Sequence, residues 1–236
     1  MDDDQFRQLL QFFNRSWRGY RKVRKGVKKR VARHMQRLEC RRIEEYLQRL
    51  ASDNAARDAQ DLLGAHNHLP VALATPSLFT MYQQPPQLAG ALVIGISQSG
   101  QSPDIVSVVA EGRKQGRPTL ALTNDVASPL AQAAEYCVPL HAGPERAVAA
   151  TKTYTSALAA LALLSSSLPD SGQRDEQDAR MAELRKLPER MSQTLAGLTP
   201  ILSRVERYRY MSHCAVIGRG YNYATCFEIA LNVKEL

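Results

Sequence analysis

At 236 residues with 44% hydrophobic side chains, the chain is long enough to bury one substantial core with room for an appendage, and its apolar runs are too short for a transmembrane helix. The net charge of +8 is unevenly spread: residues 1–50 hold 15 Lys and Arg against 6 Asp and Glu, a surplus larger than that of the whole chain. The acidic start Met1-Asp-Asp-Asp is unlike a secretory signal, so a cytoplasmic, membrane-free protein is expected, and the unpaired spacing of Cys40, Cys137, Cys214 and Cys226 predicts reduced, mostly buried thiols.

From Phe6 to Leu50 the apolar spacing is helical: Phe6, Leu9, Leu10 and Phe13 form one stripe, Val23, Val27, Val31 and Met35 a second, and Ile43, Tyr46, Leu47 and Leu50 a third. Two or three short helices are predicted. The run Arg18-Gly-Tyr-Arg-Lys-Val-Arg-Lys-Gly-Val-Lys-Lys-Arg, with Trp17 and Tyr20, has the composition of a grip on nucleic acid or an acidic partner, with residues 15–42 as its span; a solvated basic face is the plainer reading. Together with Arg33-His-Met-Gln-Arg-Leu, this segment resembles the N-terminal helical region of chemotaxis-type protein glutamate methyltransferases. That resemblance implies basic helices that dock on a receptor substrate and pack over a catalytic domain. No Gly-rich strand-turn-helix for S-adenosylmethionine follows Leu50, so methyl transfer is not expected.

After Leu50 strand and helix patterns alternate. Ser52-Asp-Asn-Ala-Ala-Arg-Asp-Ala-Gln-Asp-Leu-Leu-Gly predicts a capped helix ending at Gly64, and Leu69 to Ala74 a short strand. His66 and His68 read as a loop pair, with no carboxylate or thiol to complete a metal site. The apolar run Ala91 to Ile96 predicts a buried strand that breaks into Ser97-Gln-Ser-Gly-Gln-Ser before a helix from Pro103 to about Gln115. Gly100 suits a tight turn, Ser102 an N-cap and Pro103 the first helical position. Hydroxyls beside the free N–H groups of a helix start make a site for an anion such as phosphate, although a serine-rich turn with a good cap has the same composition.

Further strands are predicted at Pro118–Thr123 and Tyr136–Leu140, with a helix from Ser128 to Ala134 between them. Short connections and apolar strands predict a doubly wound parallel sheet covered on both faces, with ligands at the carboxyl ends of the strands. His141-Ala-Gly-Pro-Glu-Arg-Ala-Val-Ala-Ala-Thr-Lys-Thr-Tyr then leads into an apolar helix from Ala157 to Leu164. It places Glu145, Thr151 and Lys152 at a helix entry, where the lysine either holds a phosphate, orients a carboxylate or is simply solvated. A polar linker, an amphipathic stretch from Glu176 to Tyr208 interrupted at Pro188 and Pro200, and a new strand, glycine turn and helix from Ala215 complete the pattern.

Three ordered motifs carry a specific resemblance: Ser97-Gln-Ser-Gly-Gln-Ser, Val148-Ala-Ala-Thr-Lys-Thr-Tyr-Thr, and Gly218-Arg-Gly-Tyr-Asn-Tyr with Glu228-Ile-Ala-Leu-Asn-Val-Lys-Glu. Residues 52–236 resemble the sugar isomerase (SIS) family, in particular the isomerase half of glucosamine-fructose-6-phosphate aminotransferase and relatives that deaminate glucosamine 6-phosphate. The resemblance implies a three-layer αβα fold, a hexose or hexosamine 6-phosphate as ligand, no cofactor, and dimers. It assigns the sugar phosphate to Ser97, Gln98, Ser99 and Ser102 with Ser52 nearby, the sugar to Val148 and Ala149, and the proton transfer between C1 and C2 to Glu235. It divides the chain into a basic helical segment (1–50), a first SIS domain (52–168), a helical connector (173–209) and the start of a second SIS domain (210–236).

The departures are as informative. Gln48-Arg-Leu-Ala stands where the family's first strand and its Gly-Thr-Ser turn belong, so the sheet is expected to lack a strand. The family's ring-opening histidine and C-terminal lysine would fall after Glu235, and no N-terminal cysteine nucleophile follows Met1. An incomplete second subdomain, a catalytically incomplete chain and no glutamine-dependent amination are therefore expected. The abrupt change in composition fits two reading frames joined near Ala51. The alternative function is a sugar-phosphate-responsive regulatory module whose basic helices dock an acidic partner.

Overall fold

Val93-Ile-Gly-Ile-Ser and Thr119-Leu-Ala-Leu-Thr are short runs rich in branched side chains, bounded by polar or glycine-containing turns, and each forms a strand in the computed structural model of the chain. The structure describes residues 2–12, 25, 28–29, 31–32, 54–146, 150–168, 174–202, 204–211 and 213–235. By contacts the chain forms two compact units: one of Met1–Asp53, Arg146–Ala149 and Leu231–Leu236, the other of Asn54–Glu145 and Ala150–Ala230.

In the first unit, α1 (Asp3–Phe12) is opened by a reciprocal cap: the Gln5 N–H donates to Asp2 Oδ1 (2.7 Å) and the Asp2 N–H donates to Gln5 Oε1 (3.0 Å). Asp3 and Asp4 in its first turn suit the positive end of the helix dipole, so the acidic start serves as a helix opening. Lys28 pairs with Asp3 and lies 5.8 Å from the ring centre of Phe6, which is fully buried. The basic run itself, and the stripes from Phe13 to Leu50, lie almost wholly outside the described residues.

The second unit runs α2 (Asn54–Asn67), α3 (Ser77–Thr80), β1 (Val93–Ser97), α4 (Pro103–Lys114), β2 (Thr119–Thr123), α5 (Pro129–Ala133), β3 (Tyr136–Pro139) and α6 (Lys152–Ser167). Then come α7 (Arg174–Arg185), α8 (Leu187–Ala196), α9 (Thr199–Leu202), a 3-10 turn (Val205–Tyr208) and α10 (Tyr221–Glu235), which crosses into the first unit at its end. The three strands are parallel in the order β1-β2-β3, with Ser97 level with Thr123 and Thr123 level with Pro139. Alternation sorts the side chains of β1 and β2 between two layers. Ile96, Leu120 and Leu122 pack with Ala55 and Ala59 of α2 and Ala157 and Leu161 of α6, whereas Val93 and Ala121 pack with Val108 and Val109 of α4 and Leu130 of α5. This is a three-layer αβα fold. Each fully buried leucine in it is worth about 1.5–3 kcal/mol.

Several expectations are corrected. Leu69–Ala74 is an extended loop: Leu69 and Leu73 are largely exposed, the Leu69 N–H closes α2 on the Leu63 carbonyl (3.2 Å), and the Val71 carbonyl takes the Gln60 amide (2.9 Å), so these groups are spent locally instead of in a ladder. α2 continues past Gly64 to Asn67, whose amide donates to the Ser165 carbonyl of α6 (2.9 Å) while its Oδ1 accepts from the Ser165 hydroxyl (2.6 Å); His66 is therefore helical. Residues 213–219 form no strand, and Ile217 is 89% exposed. Finally, β3 is not covered on both faces. Tyr136, Cys137 and Val138 are exposed, as is Cys214, so the thiols are not the buried set their spacing suggested; Cys40 lies outside the described residues.

Gly95 marks where α4 and α5 approach the sheet most closely. A Cβ there would stand 2.7 Å from Val109 Cγ2 and 2.8 Å from Leu130 Cδ1. Gly95→Ala is expected to lower stability by about 1–3 kcal/mol, read as a shift in the denaturant midpoint.

Candidate functional site

The polar loop Ser97–Ser102 joins β1 to α4 at the carboxyl edge of the sheet. Its hydroxyls bond within it: Ser97 Oγ accepts from the Gly100 N–H (3.1 Å) and Ser99 Oγ from the Gln101 N–H (3.3 Å). Its carbonyls turn toward the protein. The Gln98 carbonyl accepts from the Asn124 N–H (3.1 Å) and the Thr123 hydroxyl (3.3 Å), and the Gly100 carbonyl accepts from the Leu130 N–H (3.1 Å). Gly100 is required here on two counts. Its φ is +62°, and a Cβ would lie 2.1 Å from Ser128 Oγ. Ser128 is itself buried as the N-cap of α5, accepting from the Ala131 N–H (3.3 Å).

Ser97 and Ser102 are half-buried, and Gln98 and Ser99 are exposed. Ser102 stands at the predicted N-cap position, but its side chain makes no cap bond, so its hydroxyl is not spent on the helix. Among the sequence-predicted residues the structure thus brings Ser97, Gln98, Ser99 and Ser102 together in one turn. Ser52, Val148 and Ala149 lie outside the described residues. Glu235 ends α10, and its side chain lies outside them as well.

The next loop along the edge is tied to the first. Asn124 Oδ1 accepts from the Ala142 N–H (2.9 Å), its Nδ2 donates to the Gly143 carbonyl (2.8 Å), and the Leu140 N–H donates to the Thr123 carbonyl (2.9 Å). Further on, Glu145 caps α6 by accepting from the Thr151 N–H (3.2 Å), the Thr153 N–H (3.3 Å) and the Thr153 hydroxyl (3.2 Å). Desolvation opposes the ionisation of Glu145, but these donors and the Lys152 charge outweigh it and hold the carboxyl below its usual range. The Lys152 ammonium donates to the Pro144 carbonyl (2.7 Å), so both side chains anchor the helix entry.

A second polar cluster joins α2, α6 and α10. The Tyr154 hydroxyl donates to Asp58 Oδ2 (2.7 Å), while Asn54 Nδ2 donates to Glu228 Oε2 (2.8 Å). Burial pushes the Asp58 carboxyl up, with Asp61 and Glu228 adding to the rise and Tyr154 opposing it. Burial also pushes the Tyr154 phenol up, with the Asp58 bond next in weight. Beside this cluster the Arg57 guanidinium lies 4.5 Å from the ring centre of Phe227, and His66 stacks on Tyr221 at 6.0 Å. Tyr154 and Glu228 lie within the sequence motifs with no role of their own there; the signal for the cluster is the i, i+4 spacing of Asn54 and Asp58, which share the buried side of α2 with Ala55, Ala59 and Leu63.

With this geometry in view, comparison with known proteins is specific. Residues 51–167 match the SIS domain family. The chain is 34% identical over 173 residues to the glutamine–fructose-6-phosphate aminotransferase of Thermotoga maritima, covering 72% of this chain and 28% of that one. It is 29% identical over 187 residues to the type 1 enzyme of Rattus norvegicus, covering 78% and 27%. Among solved structures it is similar to the C-terminal domain of glucosamine-fructose-6-phosphate aminotransferase from Francisella tularensis, with a TM-score of 0.69 and 26% identity over 78% of this chain and 52% of that one. It is also similar to a protein of Silicibacter pomeroyi DSS-3 described as a candidate phosphosugar isomerase, with a TM-score of 0.66 and 34% identity over 78% and 54%. Residues 51–167 are a SIS domain, and the matched stretch is homologous to the isomerase half of these aminotransferases. It spans less than a third of the length of the curated relatives and about half that of the solved ones. No helix among the described residues is long and apolar enough to cross a membrane.

The raised groups set a pH dependence. Asp58 holds its proton more tightly folded than unfolded, so its contribution to stability is full below its ordinary value of 3.8 and is lost as pH rises through the raised one. Tyr154 likewise favours the folded chain until the unfolded phenol ionises near 10.0, above which stability falls. Tyr154→Phe removes the donor to Asp58 and is expected to cost about 1–2 kcal/mol near neutral pH, with a smaller loss at pH values where Asp58 is protonated. Denaturant midpoints of both chains across pH 3 to 11 measure it.

Proposed function

We propose that the Ser97–Ser102 loop binds the phosphate of a hexose or hexosamine 6-phosphate, making the chain a sugar-phosphate-binding SIS protein of the amino sugar isomerase and deaminase type. One observation carries this reading: the Ser97 and Ser99 hydroxyl oxygens already accept backbone N–H bonds, which leaves their protons to donate. The carbonyls of Gln98 and Gly100, which would repel an anion, are held by the protein. The loop therefore offers donors to the solvent side, beside a helix start whose first N–H groups carry partial positive charge. The names of the relatives support the choice of sugar phosphate.

In this reading Gln98, Ser102 and Ser52 complete the phosphate site, and Val148 and Ala149 run along the sugar. Glu235 is the carboxylate that takes a proton from the carbon beside the carbonyl and returns it to the former carbonyl carbon, while the hydroxyl proton passes between the two oxygens, work worth about 10²–10⁴-fold when the group is held in place. Residues 52–168 are the first SIS domain, with 173–209 as connector and 210–236 opening a second.

Thermal unfolding with glucosamine 6-phosphate or fructose 6-phosphate tests the assignment. Ligand at about 100 times its dissociation constant adds about 2.7 kcal/mol and raises the midpoint. Ser97→Ala and Ser99→Ala are each expected to weaken binding about tenfold, the worth of one hydrogen bond to a charged group. Unchanged affinity in both variants would contradict the proposal.

A further inference from the structure

Asn124 stands between two loops that are far apart in sequence. Its backbone N–H holds the Gln98 carbonyl of the serine loop, and its side-chain amide holds Ala142 and Gly143 of the turn after β3. The residues flanking Ala142 both have positive φ, +51° at His141 and +67° at Gly143. Positive φ is uncommon outside glycine. Between these two residues stands an amide whose acceptor meets a backbone N–H and whose donor meets the next carbonyl, as a neighbouring strand would. Only Asn and Gln present acceptor and donor on the two ends of one planar amide, and Gln is one methylene longer. The turn then runs to Pro144 and Glu145, which Lys152 and the start of α6 fix in place.

We infer that Asn124 is a positioning residue that couples the serine loop to the His141–Glu145 turn, so that the two loops engage a single sugar phosphate as one surface. The inference rests on the sugar-phosphate reading above. On this inference a free phosphate engages only the serine loop, and the sugar attached to it engages the turn as well. Loss of the Asn124 amide leaves the serine loop tethered through the backbone N–H, and releases the turn alone.

Hydrogen–deuterium exchange of the full chain with inorganic phosphate and with fructose 6-phosphate tests this. In the unaltered protein, phosphate is expected to slow exchange in residues 97–104 only, and fructose 6-phosphate in 97–104 and 141–146. In Asn124→Ala, fructose 6-phosphate is expected to protect 97–104 only and to bind roughly tenfold more weakly, with the affinity for inorganic phosphate unchanged. The near-isosteric Asn124→Asp, which sets an oxygen against the Gly143 carbonyl, is expected to behave in the same way and carries the test if the alanine variant does not fold cooperatively. A residue that only supports the fold would lower the unfolding midpoint without changing which segments a ligand protects. Protection of both segments in both variants would overturn the coupling and leave the sugar-phosphate reading standing. No protection by fructose 6-phosphate in the unaltered protein would overturn both.

Discussion

Thr123 is the point on which the carboxyl edge of this sheet depends. It is fully buried at the end of β2, the one strand buried along its whole length, and stands level with Ser97 on one side and Pro139 on the other. Its hydroxyl donates to the Gln98 carbonyl and accepts from the Asp125 N–H at 3.4 Å, and its carbonyl takes the Leu140 N–H. Buried polar groups left without partners cost about 1–3 kcal/mol each. Satisfying this one residue therefore requires the loops after β1, β2 and β3 to be formed together.

The chemistry follows from that constraint. A loop whose carbonyls are already occupied cannot turn them toward an anion, and hydroxyls that accept from the backbone keep their protons for a ligand. Gly100 lies against Ser128, so the loop is seated on the start of α5 as well as on β2. Binding then orders little that is not ordered already, which is the condition for small polar contacts to yield useful affinity. The cluster of Asp58, Tyr154, Asn54 and Glu228 works differently: it keeps the Asp58 carboxyl among three helices, where burial disfavours its charge and makes the packing sensitive to pH.

Much of this was legible in the residues. The break from Ala91-Leu-Val-Ile-Gly-Ile into Ser97-Gln-Ser-Gly-Gln-Ser located the strand, the turn and the helix start, and the unbroken run Leu120-Ala-Leu located β2, because a strand covered on both sides reads as a continuous apolar run. Leu69–Ala74 and Ala215–Gly218 have the same local composition yet form no strand, since pairing depends on a neighbour that local composition does not specify. The exposure of β3 is of the same kind: Tyr136-Cys-Val is as apolar as a core strand, yet all three residues are exposed among the described residues. Asn124 was visible only as the polar residue ending a strand. Its two hydrogen bonds to Ala142 and Gly143 are a tertiary fact, and histidine's raised tendency to positive φ does not by itself mark His141 as a residue that adopts it.

The most direct test of the account is a crystal structure of the chain with fructose 6-phosphate bound. The account predicts the phosphate within hydrogen-bond distance of the Ser97 and Ser99 hydroxyls, with the Gln98 and Gly100 carbonyls still held by Asn124, Thr123 and Leu130. A phosphate seated elsewhere, or a serine loop that has released those carbonyls to receive it, would contradict it.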